Sequence, residues 1–132
     1  GLLGARLTAV PGSSDWFIGG IIAYSNAVKI RLLGVPDTVL RRRGAVSLET
    51  ARAMARGARR ALGAAFGVGI TGIAGPGGAV PGKPVGTVCL AVADSRGTTA
   101  RRFRFQGGRT AVRQAAVSRA MEMLDERLGP VA

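Results

Sequence analysis

The chain has no histidine, one cysteine (Cys89), one tyrosine (Tyr24), one tryptophan (Trp16) and two lysines (Lys29 and Lys83) in 132 residues. Each shortage removes a class of chemistry. Without histidine, no Ser-His-Asp or Cys-His mechanism can be run by these residues alone. With no histidine and one cysteine, the usual donors of a zinc or copper site are missing. A single cysteine cannot form an internal disulfide, which fits a reducing, cytoplasmic setting. General-base work falls to lysine, tyrosine or one of seven carboxylates: Asp15, Asp37, Glu49, Asp94, Glu122, Asp125 and Glu126. No apolar run reaches the ~18 residues that mark a membrane span. The first residues lack the basic and apolar regions of a signal peptide. The chain does not open with Met, and residues upstream of Gly1 are expected.

What is present is apolar and basic. Apolar residues make up 47% of the chain, enough for one domain over residues 1–132 with a real core. Lys and Arg number 19 against 7 Asp and Glu, a net charge of +12, and all but two of the cations are Arg. That balance suits nucleic acid or an anionic substrate. It equally suits a solvated basic surface. The Arg residues at 52, 56, 59 and 60 have no interleaved aromatics for base stacking, which argues against a nucleic-acid footprint.

Periodicity divides the chain into nine segments. Residues 2–10 carry apolar side chains at helical spacing, and Pro11-Gly12-Ser13-Ser14 ends them. Residues 17–24 (FIGGIIAY) read as a buried strand with a bulge or close approach at Gly19-Gly20. Ser25-Asn26 offers a cap to a helix over 27–33, closed by Gly34. A short helix runs from Pro36-Asp37 to Arg43. Ser47, with Glu49 in the first turn, starts a helix through Leu62. Its apolar stripe is Leu48, Ala51, Met54, Ala55, Ala58 and Leu62. Strands are expected from Phe66, from Val85 and over 98–106, the last two antiparallel, followed by a helix over 109–128. This order predicts a three-layer α/β/α domain with a mixed sheet.

Between the first two of those strands lies a loop crowded with Gly and Pro. Two phosphate motifs overlap it, and both fail on their surroundings. Residues 67–72 match G-x-G-x-x-G, and Asp94 lies at a distance that suits a ribose contact. The glycines fall inside the strand, however, and Gly75-Pro76-Gly77-Gly78 cannot begin a helix. Residues 77–83 match G-x-x-x-x-G-K, but Pro84 stands where Ser or Thr must hold magnesium, and a strand follows.

Tyr24 and Lys29 straddle a strand-helix junction. A desolvated Lys can lose its proton near neutral pH and act as a base, and Tyr can relay a proton. The spacing fits a surface Lys and a half-buried Tyr as well. Cys89, inside VCLAV, reads as packing. Arg109 follows Gly107-Gly108 at a helix start, where it serves either an anionic ligand or solvent.

Taken together, five blocks resemble the CinA carboxy-terminal domain family, the nicotinamide-nucleotide amidases. They are residues 10–35, 44–60, 69–78, 83–94 and 105–116, with YSNxxK, TGIAGPGG and KPVGT as the specific cores. The resemblance implies a metal-free, cofactor-free amidohydrolase of the pyridine nucleotide cycle. It would convert nicotinamide mononucleotide to nicotinate mononucleotide and ammonia. The implied nucleophile is the Ser of a Ser-Cys-Thr-Gly-Gly motif at the end of the first strand. Gly1 aligns with the last Gly, so that strand and Ser fall upstream and the 132 residues alone are expected to be inactive. By the same resemblance Lys29 would activate the Ser and Tyr24 would assist. Asn26, Thr71, Gly72, Gly75 and Arg109 would bind substrate, Arg109 through its phosphate. Family members look like homo-oligomers, some with a larger amino-terminal domain. The alternative is a non-catalytic interaction module, linked to competence and DNA damage, for nucleic acid or an acidic partner.

Overall fold

A computed structural model describes residues 1–130. Five α-helices and three strands follow in the order α1 (Leu2–Thr8), α2 (Asn26–Leu33), α3 (Asp37–Arg43), α4 (Leu48–Leu62), β1 (Gly67–Gly72), β2 (Thr87–Asp94), β3 (Gly97–Arg104) and α5 (Arg109–Leu128). A 3-10 turn at Ser13–Asp15 follows α1. The helix ends lie where local chemistry places them. Ser25 Oγ accepts from the Val28 amide, and Ser47 Oγ from the Thr50 amide. Gly34 and Gly63 close α2 and α4 at φ of 66° and 61°, a conformation that glycine adopts without steric strain.

The sheet has the order β1-β2-β3 and is antiparallel in both pairings, with Gly69 opposite Ala91 and Leu90 opposite Arg101. β2 lies between two strands and two helical layers, so all eight of its residues are buried. Its alternation sorts the layers. Val88, Leu90 and Val92 meet Val112, Ala116, Ala120 and Met123 of α5. Cys89, Ala91 and Ala93 meet Ala51 and Ala55 of α4. The α4 side is built from small residues, so that helix lies close to the sheet. A Cβ on Gly69 would stand 2.5 Å from the Ala51 carbonyl oxygen, and one on Gly67 would run into that of Ala55. This explains the G-x-G-x-x-G pattern: its first two glycines let α4 rest on β1. Beyond α4, Leu33, Val35, Leu40, Ala53 and Met54 make a second core with α2 and α3.

The three-layer α/β/α domain is therefore present, and two expectations need correction. Residues 17–24 form no ladder. Their exposure alternates residue by residue, the period of an extended chain, but no strand pairs with them among the described residues. In consequence the described sheet is antiparallel throughout, without the parallel pair of a mixed sheet.

Candidate active site

α2 begins at the end of the 17–24 segment, so the helix carries Lys29 back toward the residues that precede it. Lys29 is 6% exposed. Its Nζ donates to the carbonyl oxygens of Ala23 (3.0 Å) and Tyr24 (3.3 Å). Among the described residues it has no salt bridge. Burial lowers its pKa from the ordinary lysine value, because a cation without a paired carboxylate loses hydration. A neutral amine has two N–H groups and one lone pair. In that form two carbonyls would take the two N–H groups, and the lone pair would be the site that receives a proton.

Tyr24 and Lys29 meet through the Tyr24 backbone, not through the phenol. Tyr24 is 83% exposed. Its hydroxyl oxygen accepts from Arg109 Nη2 at 3.3 Å, and Arg109 Nη1 donates to the Gly75 carbonyl oxygen at 2.9 Å. Arg109, the first residue of α5, thus fastens the Gly-rich loop to the residue before α2. Gly75 is buried at φ +85°, and a Cβ there would stand 2.5 Å from Val85 Cγ1. Lys29, Tyr24, Gly75 and Arg109 are joined in one chain of contacts.

The other expected residues lie apart from it. Thr71 is buried and faces the α4 layer, where its Oγ1 donates to the Ala45 carbonyl oxygen at 2.7 Å. Gly72 ends β1 on the exposed side. Asn26 is the exposed first residue of α2 and joins none of these hydrogen bonds. The loop from 77 to 84 is held at several points. Lys83 Nζ donates to the Arg43 carbonyl oxygen at 2.6 Å, Val80 pairs with Lys83, and Arg102 donates to the Gly82 carbonyl oxygen.

The profile described as the CinA C-terminal domain matches residues 1–128. The chain belongs to this family. A CinA-like protein of Geobacter metallireducens is 48% identical over 128 residues, which cover 97% of this chain and 31% of that protein. One from Parasynechococcus marenigrum is 55% identical over 130 residues with the same coverage. The chain thus spans 31% of the length of these curated relatives. Among solved structures, the competence/damage inducible protein CihA from Agrobacterium tumefaciens superposes with a TM-score of 0.91 at 44% identity. It covers 94% of this chain and 76% of its own. A CinA superfamily protein from Enterobacter cloacae gives 0.93 at 33% identity, covering 98% and 76%.

Within this CinA domain the remaining polar features are structural. Cys89 is buried, and burial pushes its thiol pKa up, away from the thiolate. Asp94, the residue at ribose-contact distance in the refused dinucleotide motif, instead ties the β2–β3 turn to the end of α5. Arg127 donates to it at 2.7 and 2.9 Å, and Arg96 at 2.6 and 2.9 Å. Cavities of about 420 and 180 Å³ lie near the end of α5, lined by Asp125, Glu126 and Pro130 and by Thr99, Arg101 and Arg127. Both are away from Lys29. Sequence reasoning missed the carbonyls of Ala23, Tyr24 and Gly75 as partners, since backbone acceptors carry no residue signature. No helix of the described residues is long and apolar enough to cross a membrane.

Proposed function

We propose that the full-length protein hydrolyses the carboxamide of nicotinamide mononucleotide to nicotinate mononucleotide and ammonia. The observation that carries this reading is Lys29: buried, held by two carbonyl oxygens, and without a carboxylate partner among the described residues. Among these 132 residues, which hold no histidine, it is the side chain best suited to take a hydroxyl proton. The nucleophile is a serine hydroxyl supplied from upstream of Gly1. Lys29 accepts its proton as the oxygen attacks the carboxamide carbon. The C–N bond then breaks as the leaving nitrogen is protonated, and water cleaves the acyl-enzyme.

The loop after β1 offers the developing oxyanion its backbone amides. The Ile73 amide is committed to the Thr87 carbonyl at 2.9 Å, whereas those of Ala74 and Gly75 join no backbone hydrogen bond among the described residues. The substrate phosphate is assigned to Arg109, beside the uncapped N-terminus of α5, where guanidinium and free amides favour an anion. Thr71 acts from behind the loop by fixing it to Ala45.

The test is ammonia release from the mononucleotide by the full-length protein. Lys29→Ala is expected to lower the rate by about 10² to 10⁴; a variant at the parental rate would remove Lys29 from the mechanism. Because the neutral amine is the active form, the rate should rise with pH. It should level off below the ordinary lysine range, as burial lowers the Lys29 pKa. Absence of amidase activity with strongly salt-dependent DNA binding would favour the interaction module.

A further inference from the structure

β3 is an outer strand of the sheet. It pairs with β2 along its whole length and with no other strand among the described residues. Every second residue of such an edge leaves its backbone N–H and C=O without a ladder partner. The register sorts the side chains. Arg101 and Phe103 stand opposite Leu90 and Val88, on the α5 side of the sheet. Arg102 and Arg104 stand opposite Cys89 and Thr87, on the α4 side. The two sides differ in chemistry. On the α5 side the half-buried rings of Phe103 and Phe105 stack with their centroids 5.4 Å apart, and the Arg119 guanidinium lies 5.5 Å from the Phe103 centroid. On the α4 side Arg102 and Arg104 are exposed, and neither has a carboxylate partner among the described residues.

We propose that the outer edge of β3 binds an extended acidic peptide as an added strand. Alternate carboxylates of the peptide face Arg102 and Arg104, and the apolar side chains between them lie on the Phe103 side. Backbone hydrogen bonds to the open edge supply affinity, and the side chains on each face supply selectivity. Opposite charges across neighbouring strands attract, whereas like charges placed opposite each other repel. A second β3, in a register that overlaps residues 101–104, sets arginine opposite arginine, so the same charges that favour an acidic strand disfavour self-pairing. A nucleic acid has no amide ladder to offer this edge. The order arginine, phenylalanine, arginine, phenylalanine over residues 102–105 is the complement of a strand that alternates acidic and apolar residues.

The test is binding by the full-length protein, read apart from amidase turnover, so failure of the amidase reading leaves it standing. The probe is an end-capped peptide of alternating Glu and Val, eight residues long to match β3. Fluorescence anisotropy measures its affinity, and amide hydrogen exchange locates it. The Glu peptide should bind at least about ten-fold more tightly than the same peptide with Lys for Glu, and more weakly as salt is raised. Bound peptide should slow exchange at alternate amides of residues 97–104. Arg102 also donates to the Gly82 carbonyl oxygen, whereas Arg104 anchors no loop, so Arg104→Glu tests the charge alone. It should weaken binding by about ten-fold, while Arg42→Glu, the same charge change on α3, stays within about two-fold of the parent. No binding of the Glu peptide, equal binding of the Lys peptide, or indifference to Arg104→Glu would overturn the proposal. Unchanged exchange at residues 97–104 in the bound protein would do the same. So would protection of that edge that depends on protein concentration, which marks a second copy, or protection by a single-stranded oligonucleotide.

Discussion

Residues 17–24 and Thr87–Asp94 are two eight-residue runs of similar character, FIGGIIAY and TVCLAVAD. The second is the centre of the sheet, with every residue buried between β1, β3, α4 and α5. The first has a wall on one side only, and Ile18, Ile22 and Tyr24 face outward. Their compositions do not separate them. What separates them is the presence of neighbours on both edges and both faces. A β-prone sequence states that a residue fits a half-buried pleated surface; the strand itself requires a partner. The comparison also bears on function, because the run that lacks a ladder is the one that supplies the carbonyls around Lys29.

The largest test of that contrast exchanges side chains at matched places. Leu90→Ala removes a fully buried side chain from β2 and is expected to lower stability by about 2 to 5 kcal/mol in denaturant titration. Ile22→Ala in the same 132-residue chain should stay within about 0.5 kcal/mol of the parent. Comparable losses at both would mean that residues 17–24 are as enclosed as β2. Next in size is Gly69→Ala, which drives a methyl toward the Ala51 carbonyl and forces α4 off β1, for about 1 to 3 kcal/mol by thermal melting. A neutral result there would show that the α4 layer can shift.

Asp94 closes the far end of β2, and Arg127 followed by Arg96 holds its carboxyl well below the ordinary carboxylate range. Its folded pKa is depressed, so its contribution to stability is complete above the unfolded value near 4. That contribution is lost as pH falls further. Asp94→Asn should therefore lower the melting temperature at neutral pH and flatten its acid dependence. An unchanged acid limb would put the sensitivity in another carboxylate. The smallest effect belongs to the exposed end of the other run. Tyr24→Phe removes an acceptor of a surface hydrogen bond from Arg109 and should change stability by less than about 0.5 kcal/mol. A larger loss would show that the Arg109 fastening matters to the whole fold.

The helices were legible in the sequence because their stops are local: Ser25 and Ser47 cap, and Gly34 and Gly63 terminate, through the backbone chemistry of a few residues. β1, β2 and β3 were legible because apolar runs between turn residues did find one another. Residues 17–24 were misread because the same pattern carries no information on whether a neighbour exists. At the site, the sequence paired Tyr24 with Lys29 by spacing and family resemblance. It could not show that Lys29 reaches the Tyr24 carbonyl while the phenol reaches Arg109, 85 positions away in the chain.

By itself the sequence determined that these 132 residues bring no histidine, the places where helices begin and end, and membership of the CinA C-terminal domain family. These rest on residue identity and on interactions within one or two turns. Only the tertiary structure decided that β2 is enclosed and residues 17–24 are not, that Gly67 and Gly69 serve helix packing, and that Lys29 is buried without a counter-ion among the described residues. Those outcomes depend on which distant segments share a face, and burial and desolvation arise only when they meet.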